Sequence, residues 1–71
     1  MSFTMGEKIR ILLRRKKMTI SALAKMIETT RQNLTNKLNR DNFTEKELQQ
    51  IAEVLDCSFE GFFILPDGDR I

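Results

Sequence analysis

The stretch "TISALAKMIETTRQNLTNKL" (residues 19–38) decides the fold of this chain, because it holds two short helical patterns with a turn between them. Its apolar residues recur at spacings of three and four, as on one face of a helix; they are Ile20, Leu23, Ala24, Ile27, Leu34 and Leu38. Thr19 and Thr30 each precede one pattern and suit the N-cap position. We therefore predict a helix over residues 20–27, a break at "ETT" (28–30), and a helix from Arg31 to about Asn39.

The second of these helices carries a fan of hydrogen-bonding side chains. Arg31, Gln32, Thr35 and Asn36 fall in its first two turns, and residues 29–37 contain no acid. In a helix-turn-helix this outer face projects freely, and the major groove of B-DNA admits one helix. Arginine matches the paired acceptors of guanine, and Asn and Gln match the acceptor and donor of adenine. We predict that these residues contact base edges; the alternative interpretation is an ordinary polar helix surface.

Further helices are predicted on both sides of this stretch. Residues 4–17 place Met5, Ile9, Leu12 and Leu13 on one face. In "FTEKEL" (43–48), Thr44 and Glu47 form a capping box for a fourth helix that runs to Leu55. Asn39 to Asn42 is interpreted as a polar connector between the third and fourth helices.

The C-terminal segment is predicted to add one more helix. Ser58 suits the cap of a short last helix that contains Phe59, Phe62 and Phe63, and the first two of these are expected in the core. "LPDGDRI" (65–71) then carries a Pro-Asp-Gly turn signal, and its tail could return as a short strand. The sequence thus predicts an all-α fold of five helices in one domain over residues 1–71, with its core at about 5–63 and a tail at 64–71.

The charges are divided between the two halves of the chain. Residues 8–40 contain ten Lys and Arg and one acid, Glu28, whereas residues 41–71 contain eight acids and two bases. A chain divided in this way presents a positive half that suits a polyanion. An alternative for "RRKK" (14–17) alone is that it offsets the negative end of a helix dipole.

Composition argues against other classes of protein. There is no histidine and only one cysteine, so zinc sites and Ser-His or Cys-His catalysis lack their usual residues. We predict no enzymatic activity, cofactor, metal or small-molecule ligand.

The location of the protein is predicted from three further features of the sequence. No apolar run of about 18 residues indicates a membrane span. The N-terminus lacks the pattern of a secretory signal, and the lone thiol favours a reducing, cytoplasmic location. Cys57 is expected to be buried, and the methionines (Met1, Met5, Met18, Met26) are expected to fill the core or belong to the terminus.

The chain resembles the lambda-repressor-like (Cro-like, XRE) helix-turn-helix family. The resemblance lies in residues 19–38 and in "LQQIAEVLDCSFEGFF" (48–63), which is similar to the fourth and fifth helices of the family, and it covers roughly residues 5–63. It implies a five-helix domain that binds double-stranded DNA and regulates transcription, usually as a dimer on a two-fold operator.

The resemblance also implies roles for individual residues. Arg31, Gln32 and Asn36 fall where the family reads bases, and Thr30 and Asn33 fall near phosphate contacts or the cap. Asn39, Arg40 and Asn42 fall in a loop that grips the DNA backbone. Lys37 is a further phosphate contact, or alternatively a solvated lysine.

Four positions depart from the family pattern. Ile20 stands where a phosphate-contacting Gln is common, and Glu28 stands where the turn usually has Gly, at a modest backbone cost if φ is positive. Leu13 and Leu38 stand where many members bury an Arg-Glu pair, and such a pair can be replaced by packed apolar residues without loss of stability. Asp56 replaces a common Gly after the fourth helix.

One copy of the domain reads only a few base pairs, so we predict a homodimer. The apolar run Phe62 to Leu65 offers part of a dimer seam, or else core. Two rival functions remain open. The first is a protein-interaction module with this fold, as in an antitoxin or a regulator-binding adaptor, which Ile20 and Glu28 favour. The second is RNA binding, which the absence of Tyr and Trp disfavours.

Overall fold

The computed structural model describes residues 2–71, and Met1, with the expectation attached to it, lies outside them. Four α-helices follow one another along the chain: α1 (Met5–Arg15), α2 (Ile20–Met26), α3 (Arg31–Arg40) and α4 (Glu45–Val54). Helix α3 packs against both α1 and α2, and α2 also contacts α4. This order confirms the predicted first four helices, with ends that differ by one or two residues.

A threonine caps the N-terminus of every helix. The hydroxyl oxygens of Thr4, Thr19, Thr30 and Thr44 each accept a hydrogen bond from the backbone N–H three residues later. The predicted capping box of α4 is present, since the Thr44 N–H also donates to Glu47 Oε1 at 2.8 Å. Helix α1 has a second such box between Thr4 and Glu7, which the sequence analysis did not predict. Each cap of this kind contributes about 1 kcal/mol.

The four helices enclose one cluster of apolar side chains. Leu23 and Leu34 are fully buried at its centre, which fixes the facing sides of α2 and α3. The remaining buried apolar residues are Ile9, Leu13, Ala24, Leu38, Leu48, Ile51, Ala52 and Leu55. Leu13 and Leu38, the pair predicted to replace a buried ion pair, are both in this cluster.

Close packing of α1 against α3 depends on Gly6. A Cβ atom at this position would collide with the carbonyl group of Leu38. The backbone N–H of Gly6 also donates to Asp41 Oδ1 at 2.7 Å, so the residue that ends α3 is held by the first turn of α1. This contact fixes the orientation of the C-terminal end of α3.

All four helices end in the same way, at a non-glycine residue with positive φ. Lys17, Glu28, Asp41 and Asp56 have φ values of 54–58°. After each of them the next backbone N–H bonds back to a carbonyl in the last turn, as from Thr29 to Ala24 at 2.8 Å and from Cys57 to Ala52 at 2.9 Å. This arrangement satisfies carbonyls that the helix end leaves free. It confirms the positive φ considered for Glu28.

The predicted fifth helix is wrong. Residues 58–63 form no helix, and the chain instead turns back on itself as a β-hairpin. Phe63 and Ile71 exchange both backbone hydrogen bonds, at 2.7 and 2.9 Å, and Ile64 pairs with Arg70 in an antiparallel bridge. The Gly68 N–H donates to the Leu65 carbonyl and closes the predicted Pro-Asp-Gly turn. The short "SFEGFF" segment contains a glycine and three phenylalanines, which are weak helix formers.

Three further expectations about burial are wrong. Cys57 is exposed, because α4 has already ended and the chain turns at Asp56. Phe62, expected in the core, is 47% exposed, whereas Phe59 packs partly against the core as predicted. Met26 is exposed on α2, while Met5 and Met18 pack against the core.

Within residues 2–71, none of the helices combines the length and the apolar character needed to cross a bilayer. The same residues contain no cluster of His, Cys, Asp and Glu that could hold a metal ion.

Candidate nucleic-acid interface

Helices α2 and α3 form a helix-turn-helix whose turn is fixed by side chains as well as backbone. Thr30 Oγ1 accepts from the Asn33 N–H at 3.1 Å and caps α3. Asn33 Nδ2 in turn donates to Thr29 Oγ1 at 2.8 Å, so the first turn of α3 is tied to the residue before the cap. Thr30 and Asn33 were predicted near phosphate contacts or the cap, and their hydrogen bonds place both in the cap of α3.

The outer face of α3 is open. Arg31, Gln32 and Asn36 are exposed, as predicted, and no side-chain hydrogen bond or ion pair engages them within residues 2–71. Leu34 and Leu38 anchor the opposite face of α3 in the core. The three side chains thus project from a helix whose position is set by packing, and their donors and acceptors are free for a ligand.

Thr35 differs from its neighbours on α3. It is partly buried, and its hydroxyl oxygen is covered and lacks a hydrogen-bond partner. A contact between this hydroxyl and a base edge therefore requires a different χ1 rotamer. In the present rotamer Thr35 contributes to the packing side of the helix.

Lys37 is engaged by a carboxylate of the next helix. Its Nζ lies 2.6 Å from Glu47 Oε2, while the other oxygen of Glu47 accepts from the Thr44 N–H. The hydrogen bond from Lys37, followed by that from Thr44, lowers the pKa of Glu47 below its ordinary value. Lys37 is thus a partly neutralised cation at the edge of α3, and a phosphate would have to compete with Glu47 for it.

The predicted backbone-gripping loop is shorter than expected. Asn39 and Arg40 belong to the last turn of α3, and only Asn42 lies in the connector, because the helix continues to Arg40 before it ends at Asp41. Arg10 of α1 donates to Asn39 Oδ1 at 2.9 Å, which brings a base of α1 beside this end of α3. Arg10 was not among the predicted site residues, because its sequence signal was only its place in the basic half of the chain.

The family model of the Cro/C1-type helix-turn-helix DNA-binding domain matches residues 8–68. The chain belongs to this family. A comparison with curated proteins found no match, and neither did one with solved structures. The match begins within α1, includes the whole of α2, α3 and α4, and ends at Gly68 in the hairpin turn. It confirms the resemblance drawn from residues 19–38 and 48–63.

This Cro/C1-type domain is a DNA-binding domain, and its charges agree with that role. The first three helices all contribute bases, namely Arg10, Lys25, Arg31 and Arg40. The last three of these are exposed, and Arg10 is partly exposed. Glu28 is the one acid of residues 8–40 and is exposed in the turn. Ile20, in the first turn of α2, packs against the core and offers no hydrogen bond to a phosphate.

Proposed function

We propose that this Cro/C1-type domain is a small transcriptional regulator that binds a specific double-stranded DNA sequence as a homodimer. The observation that carries the proposal is the free outer face of α3, where Arg31, Gln32 and Asn36 are exposed and unpartnered within residues 2–71. A lone cysteine suits the reducing cytoplasm, where such a regulator would meet DNA.

In this proposal α3 lies in the major groove with its N-terminal half toward the bases. Arg31 is suited to the O6 and N7 acceptors of guanine, and Gln32 and Asn36 are suited to adenine. The backbone N–H groups at the start of α3 also face the DNA and favour a phosphate nearby. Thr35 adds a contact only after its side chain rotates, since its hydroxyl is covered.

Contacts to phosphates hold the domain in place. Arg40 and Asn42 lie at the C-terminal end of α3, and Arg10 lies beside Asn39 there. Thr30 and Asn33 sit at the other end of the helix, where their bonds within the turn hold them in position. Each neutralised phosphate adds about 0.9 to the magnitude of the salt exponent of binding. These contacts supply affinity, and the base contacts supply selectivity.

Selection of binding sites from a random DNA pool tests the proposal. We expect one enriched sequence with two symmetric half-sites about 10 base pairs apart. Arg31→Ala, Gln32→Ala and Asn36→Ala should each weaken binding to that sequence by about 1–3 kcal/mol and relax selectivity. Gln50→Ala, which removes an exposed polar side chain from α4, is the matched control. Variants that bind the selected sequence as tightly and selectively as the parent would contradict the base-reading assignment.

A second candidate function is a protein-interaction module that retains this fold. It is favoured by Ile20, which presents a hydrocarbon at the start of α2, and by the exposed carboxylate of Glu28 in the turn. A gel shift with random duplex DNA at low salt separates the two functions. A DNA-binding regulator retards the duplex, whereas an adaptor does not.

A further inference from the structure

The C-terminal hairpin (residues 62–71) concentrates the apolar surface of the molecule. The exposed fractions of its large apolar residues are 47% for Phe62, 81% for Phe63, 67% for Ile64, 37% for Leu65 and 73% for Ile71. With ~200 Å² for a fully exposed large side chain, they amount to roughly 600 Å². This total comes from both faces of the hairpin, because neighbouring side chains of a strand point to opposite faces.

The hairpin also has an unpaired backbone edge. The hydrogen bonds between its strands join Phe63 with Ile71 and the Leu65 N–H with the Asp69 carbonyl. Ile64 and Arg70 are the intervening bridge pair, so their own N–H and C=O groups point away from the hairpin. Within residues 2–71 the backbone of Ile64 makes no hydrogen bond. A strand edge of this kind is a template for another strand.

The two edges of the hairpin differ in charge. The edge formed by residues 62–66, Phe-Phe-Ile-Leu-Pro, carries none, although exposed edges are usually protected by charged side chains. The opposite edge carries Arg70, whose guanidinium lies 5.1 Å from the centroid of the Phe62 ring. Two copies related by a two-fold axis at Arg70 would bring like charges together. An axis at Ile64 brings only apolar side chains together.

We propose that a second copy of this chain pairs with the edge of residues 62–66, so that the two hairpins form one four-stranded antiparallel sheet. The two-fold axis passes beside Ile64, and the two Ile64 residues exchange both of their backbone hydrogen bonds. Pro66 lies in the turn, beyond the paired residues, where its missing N–H removes no hydrogen bond from this edge. The proposal rests on the proposed function in that a regulator reading two half-sites needs a dimer.

Charge and size favour a second copy over DNA as the occupant of this edge. Residues 56–71 contain four acids and one base, which repel a polyanion. The roughly 600 Å² is the most apolar area that each copy could bury here, against ~800 Å² per partner in a standard interface. A two-stranded hairpin is also marginally stable in water, and pairing into four strands removes that weakness. The four-stranded sheet would be built from the acidic half of the chain, whereas the helix-turn-helix belongs to the basic half.

Two variants of Ile64 with opposite charges test the proposal by analytical ultracentrifugation without DNA. The parent is expected to dimerise, and Ile64→Lys and Ile64→Glu should each raise the dimer dissociation constant at least ~10-fold, because like charges then meet at the axis. An equimolar mixture of the two variants should restore a dimer as a heterodimer. Met26→Lys, which places the same charge at an exposed methionine of α2, should leave the dimer unchanged. Far-ultraviolet circular dichroism verifies that each variant is folded.

Three results would overturn the proposal. They are a monomeric parent at millimolar concentration, Ile64 variants that dimerise like the parent, and a mixture that fails to recover the dimer. If the parent is monomeric, the edge of residues 62–66 would instead be open to a strand of a different protein. Because the assay contains no DNA, a protein that dimerises through Ile64 but selects no DNA sequence would refute the proposed function alone.

Discussion

At the residue scale, Lys37 has two competing partners. It belongs to α3, where a phosphate would attract it, yet its Nζ lies 2.6 Å from Glu47 Oε2. The Glu47 carboxylate is held on both oxygens, by Lys37 and by the Thr44 N–H, so the pair is positioned by the cap of α4. The ion pair therefore limits the positive charge that α3 presents to DNA.

Glu47→Gln should increase the affinity for all DNA sequences, because it releases Lys37 for a phosphate contact. Glutamine also serves at this position of a capping box, so α4 keeps its N-terminus. The salt exponent of binding should rise by about 0.9, the contribution of one additional neutralised phosphate. Glu53→Gln removes an equal charge from an exposed site on α4 and should leave that exponent nearly unchanged. Equal salt exponents for both variants would show that Lys37 reaches no phosphate.

At the scale of elements, the four helix ends depend on non-glycine residues in the left-handed conformation. This conformation costs an L-residue roughly 1–2 kcal/mol relative to the right-handed one, whereas glycine adopts it freely. Asp41 obtains compensation from its side chain, which accepts from the Gly6 N–H. Glu28 is exposed and makes no such bond within residues 2–71, so its turn retains the strain.

Glu28→Gly should therefore stabilise the domain by about 1 kcal/mol, which corresponds to a rise in Tm of ~4–8 °C for a chain of this size. Asp41→Gly relieves the same strain but loses the bond to Gly6, so it should stabilise less or destabilise. Thermal unfolding followed by circular dichroism measures both. A fall in Tm for Glu28→Gly would contradict the assignment of strain to this turn.

The contact between α1 and α3 gives a second prediction at this scale. Gly6→Ala should lower the stability by about 1–3 kcal/mol, because the added methyl group meets the Leu38 carbonyl and forces the helices apart. Gly61→Ala is the matched control, since its added methyl group would meet only the Phe59 ring, at an ordinary 3.5 Å. Chemical denaturation compares the two variants, and equal stabilities would show that α1 adjusts without cost.

The elements also show which features were predictable from the sequence. Thr19, Thr30 and Thr44 act on the N–H groups of their own helices, so local spacing was enough to place α2, α3 and α4. The fifth helix was wrong because Gly61 and the phenylalanines around it are weak helix formers, and Phe63 pairs instead with Ile71 across the Pro-Asp-Gly turn. Periodicity alone predicted that Arg31, Gln32 and Asn36 face outward. It could not predict the Lys37–Glu47 and Arg10–Asn39 contacts, which join different helices.

At the scale of the whole molecule, the basic half of the chain is proposed to bind DNA and the acidic half is proposed to form the dimer. The helix-turn-helix and α1 carry the bases proposed to face DNA. Helix α4 and the segment after it carry most of the acids, and the hairpin carries the proposed dimer edge. This division predicts that the effect of losing one positive charge depends on where it is lost, although the net charge of the protein changes equally.

Arg40→Ala and Arg70→Ala test this division, since each removes one guanidinium from an exposed residue. Arg40, in the last turn of α3, should lose one phosphate contact, so its variant should bind all sequences more weakly and lower the salt exponent by about 0.9. Arg70 is stacked on Phe62 in the hairpin, so Arg70→Ala should leave the salt exponent unchanged. Fluorescence anisotropy with a labelled duplex between 50 and 200 mM salt, about the range over which such contacts dominate, measures both exponents. The comparison is made at protein concentrations where both variants show the same oligomeric state. An equal fall in the salt exponent for both variants would mean that net charge, rather than a defined basic face, governs binding.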